Sequence, residues 1–63
     1  MFDEFLNQEV KCPYKDGSQL KVARGILLEV KGGFIKIKGD LGTIIINKNA
    51  LIKMSLKTNK GND

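Results

Sequence analysis

The chain has 63 residues, 41% of them hydrophobic, with one Tyr and three Phe as the only aromatics and a formal net charge of +4. A chain of this size buries only ~60% of its unfolded surface, which excludes a second domain and leaves a lone core marginal without a disulfide, a metal or self-association. Histidine is absent and Cys12 is the single cysteine, so a disulfide framework, a Cys/His zinc site and histidine-dependent acid/base or nucleophilic catalysis are excluded, and a conventional hydrolase with them.

In chain order, Asp3 is a candidate cap, and the apolar residues Phe2, Phe5, Leu6 and Val10, at spacings of three and four, predict a short amphipathic helix of one to two turns. Residues 10–14 turn strand-like, with Pro13 favouring an edge or a bulge because it lacks an amide donor. Cys12, with no histidine to activate it, reads as an inert strand residue in a reducing, cytoplasmic compartment. Lys15-Asp16-Gly17-Ser18 is a hairpin turn, since Asp-Gly supplies positive φ readily.

Residues 20–30 alternate as one long strand, with Leu20, Val22, Arg24, Ile26, Leu28 and Val30 on one face and Lys21, Ala23, Gly25, Leu27 and Glu29 on the other. Gly25 in its middle marks a bulge or a sharp bend. After the Lys31-Gly32-Gly33 turn, Phe34, Lys36 and Lys38 alternate with Ile35 and Ile37, giving one wet, basic face and one apolar face. Gly39-Asp40-Leu41-Gly42 closes that hairpin, and residues 43–47 form a strand apolar on both faces. One isoleucine face can line the core; the other needs a cover, and Ile44, Ile45 and Ile46 are therefore the candidate subunit interface. Lys48-Asn49-Ala50 is a tight turn and residues 51–56 are the last strand. Residues 1–57 form one domain and residues 58–63 a flexible polar tail.

The expected fold class is mainly β: a short N-terminal helix followed by a strongly bent five-stranded antiparallel small barrel. OB-like, SH3-like and Sm-like barrels all satisfy that pattern. No apolar run reaches the ~18 residues of a membrane span, and the acidic start lacks the basic region of a signal peptide. The glycine pairs at 32–33 and 39–42 neither precede a helix nor end in Gly-Lys-Ser/Thr, so they read as hairpin turns and not phosphate cradles. No catalytic constellation and no cofactor is expected.

Charge is uneven: Asp3, Glu4 and Glu9 make the start acidic, whereas residues 10–62 hold all eleven Lys and Arg against Asp16, Glu29 and Asp40, a net of +8. Such a surplus suits a polyanion, or equally a lysine-rich soluble surface, since Arg24 is the only arginine.

The order of residues resembles the Sm-like family, which includes the Sm and LSm proteins and bacterial Hfq. The segment Phe5-Leu6-Asn7-Gln8-Glu9-Val10 with the Asp16-Gly17 turn is similar to the opening of LSm sequences. Residues 25–37, from the bend glycine through Lys31-Gly32-Gly33-Phe34, resemble the first Sm motif, and residues 45–52 the second; Lys48 and Ala50 match the lysine and alanine of Hfq's Tyr-Lys-His-Ala. The likeness spans roughly residues 5–56. It implies a ring of six or seven subunits joined by edge-strand pairing, and binding of single-stranded RNA at the turns inside the two motifs. Carried over position by position, the family's acidic residue falls at Lys31, its stacking group at Gly33, its uracil-reading asparagine at Ile35, its arginine at Asn47 and the Hfq histidine at Asn49. Phe34 is the alternative stacking platform.

The expected RNA-binding set is therefore Lys31, Gly33, Phe34, Asn47, Lys48 and Asn49 in a non-catalytic, ring-forming homo-oligomer that holds RNA through lysines and turn backbone. A structural or protein-interaction barrel without nucleic acid is the alternative, favoured by the absent stacking and base-reading groups. Double-stranded DNA binding lacks a recognition helix, and an enzyme comes last.

Overall fold

Period-two alternation punctuated by glycine turns produces five strands in the computed structural model, which describes residues 3–57. They are β1 (Glu9–Asp16), β2 (Gln19–Val30), β3 (Phe34–Gly39), β4 (Gly42–Asn47) and β5 (Ser55–Leu56). All pairings are antiparallel, and the strands form one open sheet in the order β4-β3-β2-β1-β5. Consecutive strands pair through tight turns except β5, which returns across the sheet to lie beside β1.

The expected N-terminal helix is only a 3-10 turn, Asp3–Phe5. Its amides are diverted before an α-helical ladder can form: Leu6 N–H donates to Asp3 at 3.1 Å, and Asn7, at φ +67°, turns its N–H onto the Leu27 carbonyl at 2.8 Å. Leu27 N–H in turn donates to the Gln8 carbonyl, so residues 7–8 extend the β1 pairing and Phe5 and Leu6 are left packed on the core. Phe2, which contributed to the helical pattern, lies outside the described residues, as does the expected tail at 58–63.

β1 is longer than the sequence suggests and accommodates Pro13 without a bulge. The Pro13 carbonyl accepts from Ile52 N–H at 2.9 Å, so this residue's polar backbone edge faces away from β2. The Pro13–Val22 pair is then a non-hydrogen-bonded one, and the missing amide takes nothing from the β1–β2 ladder. Asp16 pairs with Gln19 across the two-residue loop Gly17-Ser18, with Gly17 at φ +67° in the first loop position, where a II′ turn needs glycine.

The glycine and the bulge of β2 occupy different places. At Gly25, φ is +157° and an added Cβ would lie 2.2 Å from the Lys38 carbonyl oxygen, so glycine here permits close approach of β3. The bulge falls between Leu27 and Glu29: Leu27 pairs with Ile37 but Glu29 with Lys36, leaving Leu28 as the extra residue. Core parity switches there. Ala23 and Leu27 are buried before it, whereas Val30, paired with buried Ile35, turns inward after it.

The core is Val10, Cys12, Ala23, Leu27, Ile35, Ile37 and Ile46, with Tyr14, Val30, Leu51 and Met54 packed against it. The face of β2 richer in large apolar residues is the outer one, with Leu20, Val22, Ile26 and Leu28 all exposed. The last strand is shorter than expected from residues 51–56: Leu51 makes an isolated bridge to Tyr14, residues 52–54 are irregular, and only Ser55–Leu56 pairs with β1. The Ile52 N–H bond to the Pro13 carbonyl belongs to that bridge, and the register slips by one residue between it and the Lys11–Ser55 pair, which interrupts the ladder.

Candidate functional site

Two turns more than a dozen residues apart in sequence meet at one end of the β3–β4 hairpin. Lys31 N–H donates to the Phe34 carbonyl at 2.8 Å, closing the Gly32-Gly33 loop, and Lys48 N–H donates to the Gly33 carbonyl at 3.0 Å, tying the second turn onto the first. Phe34 lies opposite Asn47. Because the Phe34 carbonyl is used toward β2, this is a non-hydrogen-bonded pair, whose side chains stand closest. All six residues expected at the site, Lys31, Gly33, Phe34, Asn47, Lys48 and Asn49, thus share one end of the sheet.

Within it the residues divide by what the fold already asks of them. Asn47 caps the 3-10 turn Lys48–Ala50, its side-chain oxygen accepting from Asn49 N–H at 2.9 Å. That leaves its amide NH2 as the group facing outward chemistry. Phe34 is half-buried, whereas Lys31, Gly32, Gly33 and Asn49 are exposed. Gly32 and Gly33 have no positive φ, and a Cβ on either would meet nothing within 4 Å. The fold does not demand glycine at 32–33; what glycine supplies is an open approach to the backbone beside Phe34.

Lysine neutralisation is selective. Lys36 pairs with Glu29 at 3.4 Å, Lys57 with Glu9 at 3.3 Å and Lys21 with Asp16 at 2.7 Å. The Asp16 carboxylate, accepting from the Lys21 ammonium, raises the lysine's pKa. These are exposed pairs, each worth little in stability; their consequence is to cancel charge at particular places on the sheet. Lys31 has no ion pair among the described residues.

The candidate interface isoleucines separate by burial. Ile46 is 4% exposed and belongs to the chain's own core, while Ile44 is 40% and Ile45 61% exposed. Ile44 shares the inner face with Ile37, its partner on β3, yet an open, mainly apolar recess of about 500 Å³ lies over it between Val22–Arg24 of β2 and the Gly39–Ile44 hairpin end. This recess is at the opposite end of β3 and β4 from the two turns. Sequence reading missed it because depth along an edge strand depends on what crosses above it, not on alternation.

Cys12 is fully buried, and burial pushes its thiol up to about 11. A neutral, inaccessible thiol is a packing group, as its strand position suggested. Among the described residues no helix is long and apolar enough to cross a membrane. Comparison with protein-family models, curated protein sequences and solved structures finds no match to this chain.

Proposed function

We propose that this chain is a non-catalytic, ring-forming module of the Sm-like type that binds single-stranded RNA across the Lys31–Phe34 and Asn47–Asn49 turns. The observation that carries the reading is the junction of those turns through the Lys48–Gly33 hydrogen bond and the Phe34–Asn47 pair. It sets a half-buried aromatic ring, two lysines, an amide NH2 and unobstructed glycine backbone side by side. In this proposal the lysines meet phosphates, Phe34 offers a stacking edge, and the turn amides and Asn47 meet base edges with weak sequence preference.

The sheet ends in β4 on one side and β5 on the other, which supports the proposed ring. Pairing one copy's β4 with the next copy's β5 would be a head-to-tail interface, which closes into a ring when the rotation permits. It would cover Ile44 and Ile45 and complete the bent sheet as a barrel wall. Six or seven subunits are expected, and a stable monomer by mass measurement in solution would overturn this part of the proposal.

The test of RNA binding is titration of labelled U-rich and A-rich RNA and matched DNA strands at two salt concentrations. Affinity should fall steeply with salt, and Lys31→Glu or Lys48→Glu should each weaken binding ~10-fold with similar effect on every sequence. Absence of binding to any strand, with the oligomer intact, would instead support the structural or protein-interaction barrel, the reading favoured by the exposed apolar side chains Ile45 and Leu41.

A further inference from the structure

We infer that the outer face of the sheet carries a second contact surface for the phosphodiester backbone, a track formed by Lys11 of β1, Arg24 of β2 and Lys38 of β3; it extends the RNA-binding reading to a separate place on the molecule. Lys11 lies directly opposite Arg24. Its neighbours on the same side of β1, Glu9 and Pro13, both direct their carbonyls away from β2, to Lys57 and Ile52. Lys11 and Arg24 are therefore a non-hydrogen-bonded pair, the register position with the closest side chains. Like charges facing each other there are destabilising in a sheet, and both residues are exposed.

Lys38 continues the line, opposite Ile26 and diagonal to Arg24. The ion pairs of this face pass these three by: Glu29 is taken by Lys36 and Glu9 by Lys57, and none of Lys11, Arg24 and Lys38 has an ion pair among the described residues. The remaining nearby carboxylate, Asp40, sits in the exposed β3–β4 loop. Around the three cations stand the exposed apolar side chains Val22, Ile26 and Leu28, which supply no acceptor and lower the local dielectric. Three cations across three strands ~4.8 Å apart form an open line, which fits a repeated anion better than a single one. No aromatic ring lies on the line, so the contact is with backbone and not base.

The experiment uses the full chain and a labelled single-stranded RNA, with affinity measured over a salt series and thermal unfolding followed in parallel. Arg24→Glu and Lys11→Glu should each weaken binding ~10-fold and reduce the salt slope by about 0.7 or more per lost phosphate, while raising the melting temperature by about 2–5 °C because a like-charge pair becomes an opposite-charge one. The double reversal should lose the thermal gain and bind weakest. Inorganic phosphate should compete no better than chloride at equal ionic strength. Unchanged affinity in Arg24→Glu and Lys11→Glu, with Lys31→Glu still weakened, would overturn the track and leave the turn site standing. The reverse result would keep the track and remove the turn site. Preferential competition by inorganic phosphate would overturn a backbone track in favour of a single-anion site, and no RNA binding by the unaltered chain would overturn both.

Discussion

Gly25→Ala tests the central feature of the fold, the close approach of β2 and β3. The new Cβ would lie 2.2 Å from the Lys38 carbonyl oxygen, 2.7 Å from its carbon and 2.9 Å from the Gly39 Cα, where ordinary contact begins at 3.4 Å. These neighbours are backbone atoms, so no side chain can swing aside; the strands must separate by roughly 1 Å, at an overpacking cost of ~1–3 kcal/mol. Alanine at φ +157° adds strain of ~1–3 kcal/mol, and weakening the Ile26–Lys38 pairing adds ~1 kcal/mol. The total, ~3–7 kcal/mol, compares with ~3–9 kcal/mol for the whole stability of a chain this long. Gly25→Ala should therefore be largely unfolded or melt far below the unaltered protein. Urea unfolding followed by far-ultraviolet circular dichroism measures it, with Gly33→Ala as the comparator because its Cβ meets nothing within 4 Å. Gly33→Ala should change stability by no more than ~1 kcal/mol. A Gly25→Ala protein as stable as the Gly33→Ala one would refute the reasoning.

Two further outcomes are expected. Asn47→Ala removes the side-chain acceptor for Asn49 N–H and should cost ~1 kcal/mol, whereas Asn47→Asp keeps an acceptor but adds negative charge, so it should retain stability and lose RNA affinity; equal stability in both variants would show that the cap contributes nothing. Cys12, held up at about 11 against an ordinary 9.0, stays protonated in the folded chain at pH values where the unfolded chain ionises. The unfolded state then binds fewer protons, so stability is full below pH 9 and falls as pH rises toward 11, by up to ~3 kcal/mol. Urea midpoints at pH 8 and pH 10.5 for the unaltered chain and Cys12→Ala should differ in pH dependence, and parallel slopes would contradict this assignment.

The strands were legible where turn chemistry and alternation agreed. Asp16-Gly17, Gly32-Gly33 and Gly39 to Gly42 bound β1 to β4 in the structure much as their glycines indicate, and Ile35 and Ile37 are buried between exposed or half-buried neighbours as their alternation requires. The N-terminal helix was not legible, because the spacing of Phe5, Leu6 and Val10 suits a helix while the amides of residues 7 and 27 are already committed to pairing with each other's segments. The last strand is shorter for a non-local reason: Leu51 to Leu56 alternates well, but its register against β1 slips by one residue between the Tyr14–Leu51 bridge and the Lys11–Ser55 pair. At the candidate site, the six residues carried over from the motif resemblance lie at one end of the sheet, yet nothing in the sequence distinguishes Asn47 as a cap or shows that Gly33 is free of steric duty.

By itself the sequence determined a small, histidine-free, mainly β chain with a buried, unreactive cysteine and a basic surplus after its first nine residues. These follow from composition and from periods of two residues, which are local. Tertiary structure decided which face of β2 is inside, and it chose the one with Ala23 and Gly25 over the one with Leu20, Val22 and Ile26. The physical reason is that the inner face must admit the Lys38–Gly39 backbone against Gly25, so fit outranks hydrophobicity there. Register, also non-local, set Lys11 against Arg24 and Phe34 against Asn47, and set Lys36 beside Glu29, where an ion pair cancels its charge.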